Sequence, residues 1–201
     1  MDQSLYSVEL FAGAGGLAIG MGSAGFHHRA VVEWDADACE TFRFNQHSGE
    51  QHQFDWPILQ MDAREFDYGT IGARVDVVSG GPPCQPFSLG GKHRGFRDNR
   101  DMFPEAVRAV RELRPRAFIF ENVKGLLRQS FSTYFEYVLL QLTYPSIQRR
   151  PNEEWGVHLR RLERRHTSKA CSPEYRVVFR LLNAANYGVP QKRERVFLVG
   201  F

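Results

Sequence analysis

Apolar runs of strand length recur along this chain, and segments with helical spacing lie between them. "YSVEL" reads as a strand that opens into "FAGAGGLAIGMGSAGF", a glycine-rich turn followed by a helix. "RAVVEWD" repeats the idea, a strand closed by acidic residues, and "ADACETFRFNQ" after it has helical composition. "PILQM" supplies a third strand, and "VDVVSGG" is a continuous apolar run that ends in a proline- and glycine-rich loop. "MFPEAVRAVRELRP" sets Met102, Ala106, Val110 and Leu113 at helical spacing and stops at Pro115. "RAFIFENV" is a further strand with "YFEYVLLQL" on the helix after it, and "YRVVFRLLNA" and "RVFLVGF" are late strands. Strands alternating with helices predict an α/β fold with a mostly parallel sheet and helices on both faces. Ligands bind such sheets at the carboxyl ends of the strands, and every motif below lies at or beyond such an end.

The segment at about residues 143–174 departs from this rhythm. It is long, basic and poor in strand pattern, with one amphipathic helix over "EEWGVHLRRLERRH". Two readings stand: a solvated surface insertion, or a surface that contacts DNA or a subunit. No repeat, low-complexity tract or linker divides the chain, so residues 1–201 are expected to form a single domain carrying this insert.

Composition narrows the class. The net charge of +3 and pI near 8.9 permit an anionic partner without demanding one. No apolar run approaches the roughly 18–20 residues of a membrane span, and "MDQSLYSVEL" lacks the pattern of a signal peptide. A cytoplasmic protein is expected, with no membrane partner. The three cysteines, Cys39, Cys84 and Cys171, are scattered, which favours neither a disulfide framework nor a zinc site. No metal is expected.

Two stretches carry chemistry. In the glycine-rich turn, Gly13, Gly15 and Ala18 satisfy a loose G-x-G-x-x-A pattern, and Glu33 closes the next strand where a ribose-binding acid belongs. A nicotinamide cofactor and a nucleoside cofactor both fit. Trp34 offers an aromatic face for adenine, although an isolated tryptophan reads first as a packing residue. Asp62 is placed to accept from an adenine amino group, and Phe11 offers a second apolar wall. The other stretch is "SGGPPCQPFSLGGKHRGF". Pro82 and Pro83 favour an extended approach to Cys84, while Gly80, Gly81, Gly90, Gly91 and Gly95 allow turns that other residues resist. A cysteine in that setting reads as a reactive group on a loop that bends over a ligand.

Taken in order, "ELFAGAGG", "EWD", "GGPPCQPFS", "ENV" and "QKRER" resemble the cytosine-5 DNA methyltransferase family, over about Ser7 to Phe201. The specific part is "PPCQPFS" with "ENV" about 35 residues later. The resemblance implies a class I methyltransferase (Rossmann-like) fold and S-adenosyl-L-methionine as cofactor, held by Phe11, Gly13, Ala14, Gly15, Gly16, Glu33, Trp34, Asp62 and Ala63. It implies that Cys84 attacks C6 of a flipped cytosine. Glu121 then meets N3 as a protonated carboxyl, and Asn122 fixes the loop around it. Arg195 and Arg193 would contact cytosine O2 and the nearby phosphate. The Pro82 carbonyl would accept from the cytosine amino group, with Pro83, Gln85, Ser88 and Gln191 against the DNA. Lys92, His93, Arg94 and Arg97 add charge for phosphates or form a basic loop without a partner. Double-stranded DNA in a bacterial restriction–modification setting is the expected substrate.

Two departures stand out. Glu9 occupies a position where the family usually has Asp. The chain also stops at "RVFLVGF", where the family continues into a target-recognition domain and two further motifs, one a helix that returns beside the glycine loop. The expectation is therefore a catalytic portion without target recognition, either cut down or one subunit of a split enzyme, with open apolar surface beside that loop. An RNA cytosine-5 methyltransferase and a non-catalytic DNA-binding or partner subunit are the alternatives. A nicotinamide oxidoreductase leaves the cysteine loop unexplained.

Overall fold

The apolar runs pair into one seven-stranded sheet. The computed structural model describes residues 4–48, 55–83, 101–168 and 172–201. In chain order these form β1 (Leu5–Leu10), α1 (Gly16–Ser23), β2 (Phe26–Glu33), α2 (Ala36–Ser48), β3 (Ile58–Gln60), β4 (Val77–Gly80), α3 (Phe103–Leu113), β5 (Ala117–Val123), α4 (Ser132–Thr143), α5 (Trp155–Thr167), β6 (Val177–Asn183) and β7 (Glu194–Gly200). The sheet order is β3-β2-β1-β4-β5-β7-β6. The first five strands run parallel. β7 inserts antiparallel between β5 and β6. The order in which the chain adds strands reverses between β1 and β4, which opens a crevice at their carboxyl ends.

Alternation along the strands sends side chains to two helical layers. Ala30 and Val32 join Val8, Leu10, Phe118, Phe120, Val196 and Leu198 in the main core, with Phe103, Ala106 and Val110 of α3 and Phe135, Val138 and Leu142 of α4. Val31, between them, packs on the other side with Ala18 of α1 and Phe42 of α2. Helices thus cover both faces of the parallel half. Over β5, β7 and β6 the α1 side is more open: Ile119, Phe197 and Val199 are half-buried, and Val178 is 54% exposed.

The basic insert folds onto α4. Tyr137 and Leu140 of α4 and Tyr144 just after it form a separate cluster with Leu159 and Leu162 of α5. His158 is buried between them, its Nδ1 2.8 Å from the Tyr137 hydroxyl and its Nε2 2.7 Å from the Ile147 carbonyl. A second buried histidine, His28, lies between Ser7 Oγ and the Ala18 carbonyl, each at 3.0 Å. Each fits a neutral ring that accepts at Nδ1 and donates from Nε2. Burial, the largest cause, holds the pKa of both rings below the ordinary histidine value.

Glu9 lies on β1, against Ala18 of α1. It is fully buried, accepts from Ser79 Oγ at 2.8 Å, and has one oxygen with no partner among the described residues. Burial pushes its pKa up to about 8.

These groups give stability an optimum in pH. The histidines bind protons more readily unfolded, so their contribution is complete above about pH 6.5 and is lost on acidification. Glu9 acts oppositely: it binds its proton more tightly when folded, so its contribution falls as pH rises from the unfolded value of 4.5 to about 8. Urea midpoints measured across pH 5–9 are expected to decline on both sides of neutrality, and Glu9→Gln is expected to remove the alkaline decline. An unchanged alkaline limb in that variant would refute the assignment.

Candidate functional site

The crevice at the strand ends holds a cavity of about 420 Å³, a size that suits a small-molecule ligand. Phe11, Gly13, Glu33, Trp34, Asp62 and Ala63 line it, together with Arg64, Gly81, Pro83 and Met102. Six of the nine residues assigned to a cofactor from the sequence therefore share one wall. Ala14, Gly15 and Gly16 do not; they form the turn beside it, where Gly15 adopts φ +90° ahead of α1. A Cβ at Gly15 would collide with the Phe42 ring, so α2 closes on this turn only because the side chain is missing. Phe11 also takes a positive φ of 56°, an uncommon conformation for a large residue, at the start of the turn.

Glu33 organises this wall. Its Oε2 accepts from the Gly13 amide at 2.8 Å, and its Oε1 accepts from the amides of Trp34 and Asp35 at 2.9 Å each. One carboxylate thus fastens the glycine turn to the end of β2. Trp34 is 73% exposed, so it is a platform on the cavity and not a packing residue. The Asp62 carboxylate, expected from the sequence to face an adenine amino group, is also paired with Arg64, which keeps the Asp62 pKa below its usual range.

A second polar group lies where β4 and β5 end together. Asn122 is buried; its Nδ2 donates to the Pro82 carbonyl at 2.9 Å and its Oδ1 accepts from the Val123 amide at 2.8 Å. The segment leaving β4 is thereby tied to the end of β5. The Met102 amide donates to the Pro83 carbonyl at 3.2 Å, so the start of α3 returns to the same point. Cross-strand pairing sets Val123 opposite Arg195, and Arg195 Nε contacts Glu121 Oε1 at 2.7 Å. The Arg195 guanidinium also donates to the Glu194 carbonyl at 2.8 Å, and Lys124 pairs with Glu194 at 2.8 Å. Glu121 is thus half of an ion pair in the absence of a bound base; the sequence reading gives it a protonated carboxyl when it meets cytosine N3.

A Cβ at Gly81 would stand 3.6 Å from Glu121 Oε2, which puts this carboxylate directly beside the backbone leaving β4. Gly80, one residue earlier, admits no side chain at all, since a Cβ there would overlap the Leu10 carbonyl. Arg193 and Gln191 are exposed on the segment entering β7.

Cys84, Gln85, Ser88, Lys92, His93, Arg94 and Arg97 fall outside the described residues, as does Cys171. Cys39 is fully buried and its thiol pKa is raised by that burial, which suppresses the reactive thiolate. Among the described residues no group of His, Cys, Asp and Glu is arranged to hold a metal ion. No helix among them is long and apolar enough to cross a membrane. Sequence reasoning missed Arg64 and Met102 on the cavity wall. Arg64 had a local signal, since it follows Asp62 by two residues in a short polar turn.

A family model described as C-5 cytosine-specific DNA methylase matches residues 5–144 and 164–201. Residues 145–163, the first part of the basic insert, fall outside that match. The chain is 36% identical over 193 residues to the Type II methyltransferase M.NgoMIV of Neisseria gonorrhoeae, covering 96% of this chain and 50% of that protein. It is 36% identical over 203 residues to the Type II methyltransferase M.AquIA of a Picosynechococcus strain, covering 96% of this chain and 70% of that protein. The solved structure of DNMT2 from Spodoptera frugiperda shares the fold, with a TM-score of 0.63 at 20% identity over 98% of this chain and 50% of that one.

The tether at Asn122 makes a direct prediction. Asn122→Ala leaves the Val123 amide without its acceptor and the Pro82 carbonyl without its donor, at a cost of about 1–3 kcal/mol. Asn122→Asp keeps the acceptor and loses the donor. Chemical denaturation is expected to rank the wild type above both variants; equal stability of all three would show that the tether is not formed.

Proposed function

The chain belongs to the C-5 cytosine-specific DNA methylase family, and from that membership we propose that it is the catalytic portion of a DNA cytosine-5 methyltransferase acting on double-stranded DNA. The chain spans half the length of the Neisseria relative, so target recognition is assigned to a further region or a partner. The observation that carries the reading is the adjacency of two groups: the Glu121–Arg195 pair beside Gly81, and a cavity that Gly81 also lines.

The cavity fits S-adenosyl-L-methionine. Trp34 presents an open aromatic face for a purine, and Glu33 keeps acceptor capacity for ribose hydroxyls beyond its three backbone bonds. When bound, this cofactor supplies an electrophilic methyl group. The protein's own work is to make C5 of cytosine nucleophilic, which the aromatic ring is not. Cys84, as thiolate, adds to C6 of a base flipped out of the duplex. The added electron pair moves onto N3, and C5 gains enamine character. Arg195 turns from Glu121 to the cytosine O2 as the base enters, and Glu121, freed from the cation, takes up a proton from solvent and donates it to N3. Asn122 holds the Pro82 carbonyl, which has a second lone pair for the cytosine amino group. After methylation a base removes the C5 proton, the C5–C6 double bond re-forms and the thiolate leaves. Arg193, Pro83, Gln85, Ser88 and Gln191 are assigned to the DNA strand around the flipped base.

Transfer of a labelled methyl group tests the reading. We expect slow labelling of cytosine in duplex DNA by this chain, accelerated when a recognition region from a relative is supplied. Labelling of transfer RNA instead would move the protein to the RNA enzymes, and labelling of neither would contradict the proposal. Calorimetry with S-adenosylhomocysteine should show Glu33→Ala and Trp34→Ala each weakening binding by about 1–3 kcal/mol. Tighter binding of NAD would contradict the cofactor assignment.

The half-open apolar face over β5, β7 and β6 is assigned to that further region or partner. The chain alone should self-associate in sedimentation experiments and bind DNA weakly and without sequence preference. A well-behaved monomer with sequence-specific activity at normal turnover would contradict this.

A further inference from the structure

Arg64 is unused by the mechanism, yet it stands on the cavity wall. Asp62 caps the short turn Ala63–Glu65 by accepting from the Arg64 amide at 2.9 Å, and the Arg64 side chain folds back over the same carboxylate. Its Nε lies 3.0 Å from each Asp62 oxygen, and Nη2 closes the pair. Nη1 makes no hydrogen bond among the described residues, and the Arg64 side chain is 53% exposed where it borders the cavity.

The turn itself is pinned from behind. Arg108 of α3 donates to the Ala63 carbonyl at 2.6 Å and to the Phe66 carbonyl at 3.1 Å, and its guanidinium lies over the Tyr68 ring. Arg108 is itself held by Glu105 at 2.6 Å. The carboxylate–guanidinium unit of Asp62 and Arg64 is therefore mounted on a braced turn. It presents an acceptor and a donor side by side at one end of a cavity whose wall includes an exposed tryptophan.

That pattern has a complement. The edge of adenine carries an amino donor at N6 next to an acceptor at N7. A purine with a carbonyl at C6 shows two acceptors there, and the Asp62 carboxylate would repel it. We propose that Arg64 is a specificity-determining residue of the nucleoside pocket, donating through its guanidinium to N7 of the adenine ring while Asp62 faces the N6 amino group. This rests on the reading of the cavity as a site for an adenosine-containing cofactor. The ion pair does two things: it fixes the direction of the carboxylate, and it holds a flexible side chain in place before the ligand arrives, which lowers the entropy lost on binding.

Calorimetry with three ligands separates this inference from the reading beneath it. The probes are S-adenosylhomocysteine, its 7-deaza analogue, in which N7 is replaced by C–H, and its inosine analogue, in which the amino group becomes a carbonyl. The wild-type protein is expected to bind the 7-deaza analogue about ten-fold more weakly than the parent, the range of a hydrogen bond to a charged group. In Arg64→Ala the parent and the 7-deaza analogue are expected to bind alike, while the inosine analogue remains discriminated against through Asp62. Equal wild-type affinity for the parent and the 7-deaza ligand would overturn the inference without any variant. So would a folded Arg64→Ala protein that still prefers the parent. Failure of the parent to bind the wild type would overturn the cofactor reading itself, and the inference with it.

Discussion

A single buried hydrogen bond fixes the geometry of the site: Asn122 Nδ2 to the carbonyl of Pro82, at 2.9 Å. β4 and β5 are neighbouring parallel strands, so both leave the sheet at the same edge. Without a cross-link the two exits would be independent loops. Asn122 joins them, and its other amide atom stays satisfied by the Val123 amide. The rest follows from that join. Gly80 lets β4 lie against the Leu10 carbonyl, Gly81 leaves room for Glu121, and the reversed strand β7 brings Arg195 opposite Val123. An acid, a guanidinium and the approach to Cys84 are thus gathered at one point by backbone pairing, with little dependence on flexible side chains.

The cavity half of the site uses the same economy. Glu33 spends three acceptor sites on the amides of Gly13, Trp34 and Asp35, which locks the glycine turn to β2 before any ligand arrives. Positions that are strained or costly elsewhere cluster here: a positive φ at Phe11, and a fully buried carboxyl at Glu9 beneath α1. That Glu9 carboxyl accepts from Ser79 and has one oxygen without a partner among the described residues.

Much of this was legible in the sequence, for definable reasons. The strands and helices were readable because apolar runs and helical spacing are local signals, and even α5 within the basic insert showed its pattern. Glu33, Trp34 and Asp62 were legible because each closes or follows a strand, and strand ends make ligand sites in such sheets. The reversal of β7 was not read, although the segment 184–193 is short and lacks a crossover helix, which points to antiparallel pairing. Long-range partners were invisible: nothing local tells that Arg195 meets Glu121. Trp34 shows the same limit, since exposure depends on what the fold leaves uncovered.

The claim that most needs an experiment is that the point defined by Asn122, Pro82 and Glu121 delivers a cysteine to C6 of cytosine. Duplex DNA containing 5-fluorocytosine tests it directly, because fluorine cannot leave as a proton and a covalent complex accumulates even from a slow enzyme. The protein would be incubated with this DNA and S-adenosylmethionine, digested, and the attachment site mapped by mass spectrometry. One adduct is expected, at Cys84, lost in Cys84→Ser. An adduct at Cys39 or Cys171, or none at Cys84, would contradict it.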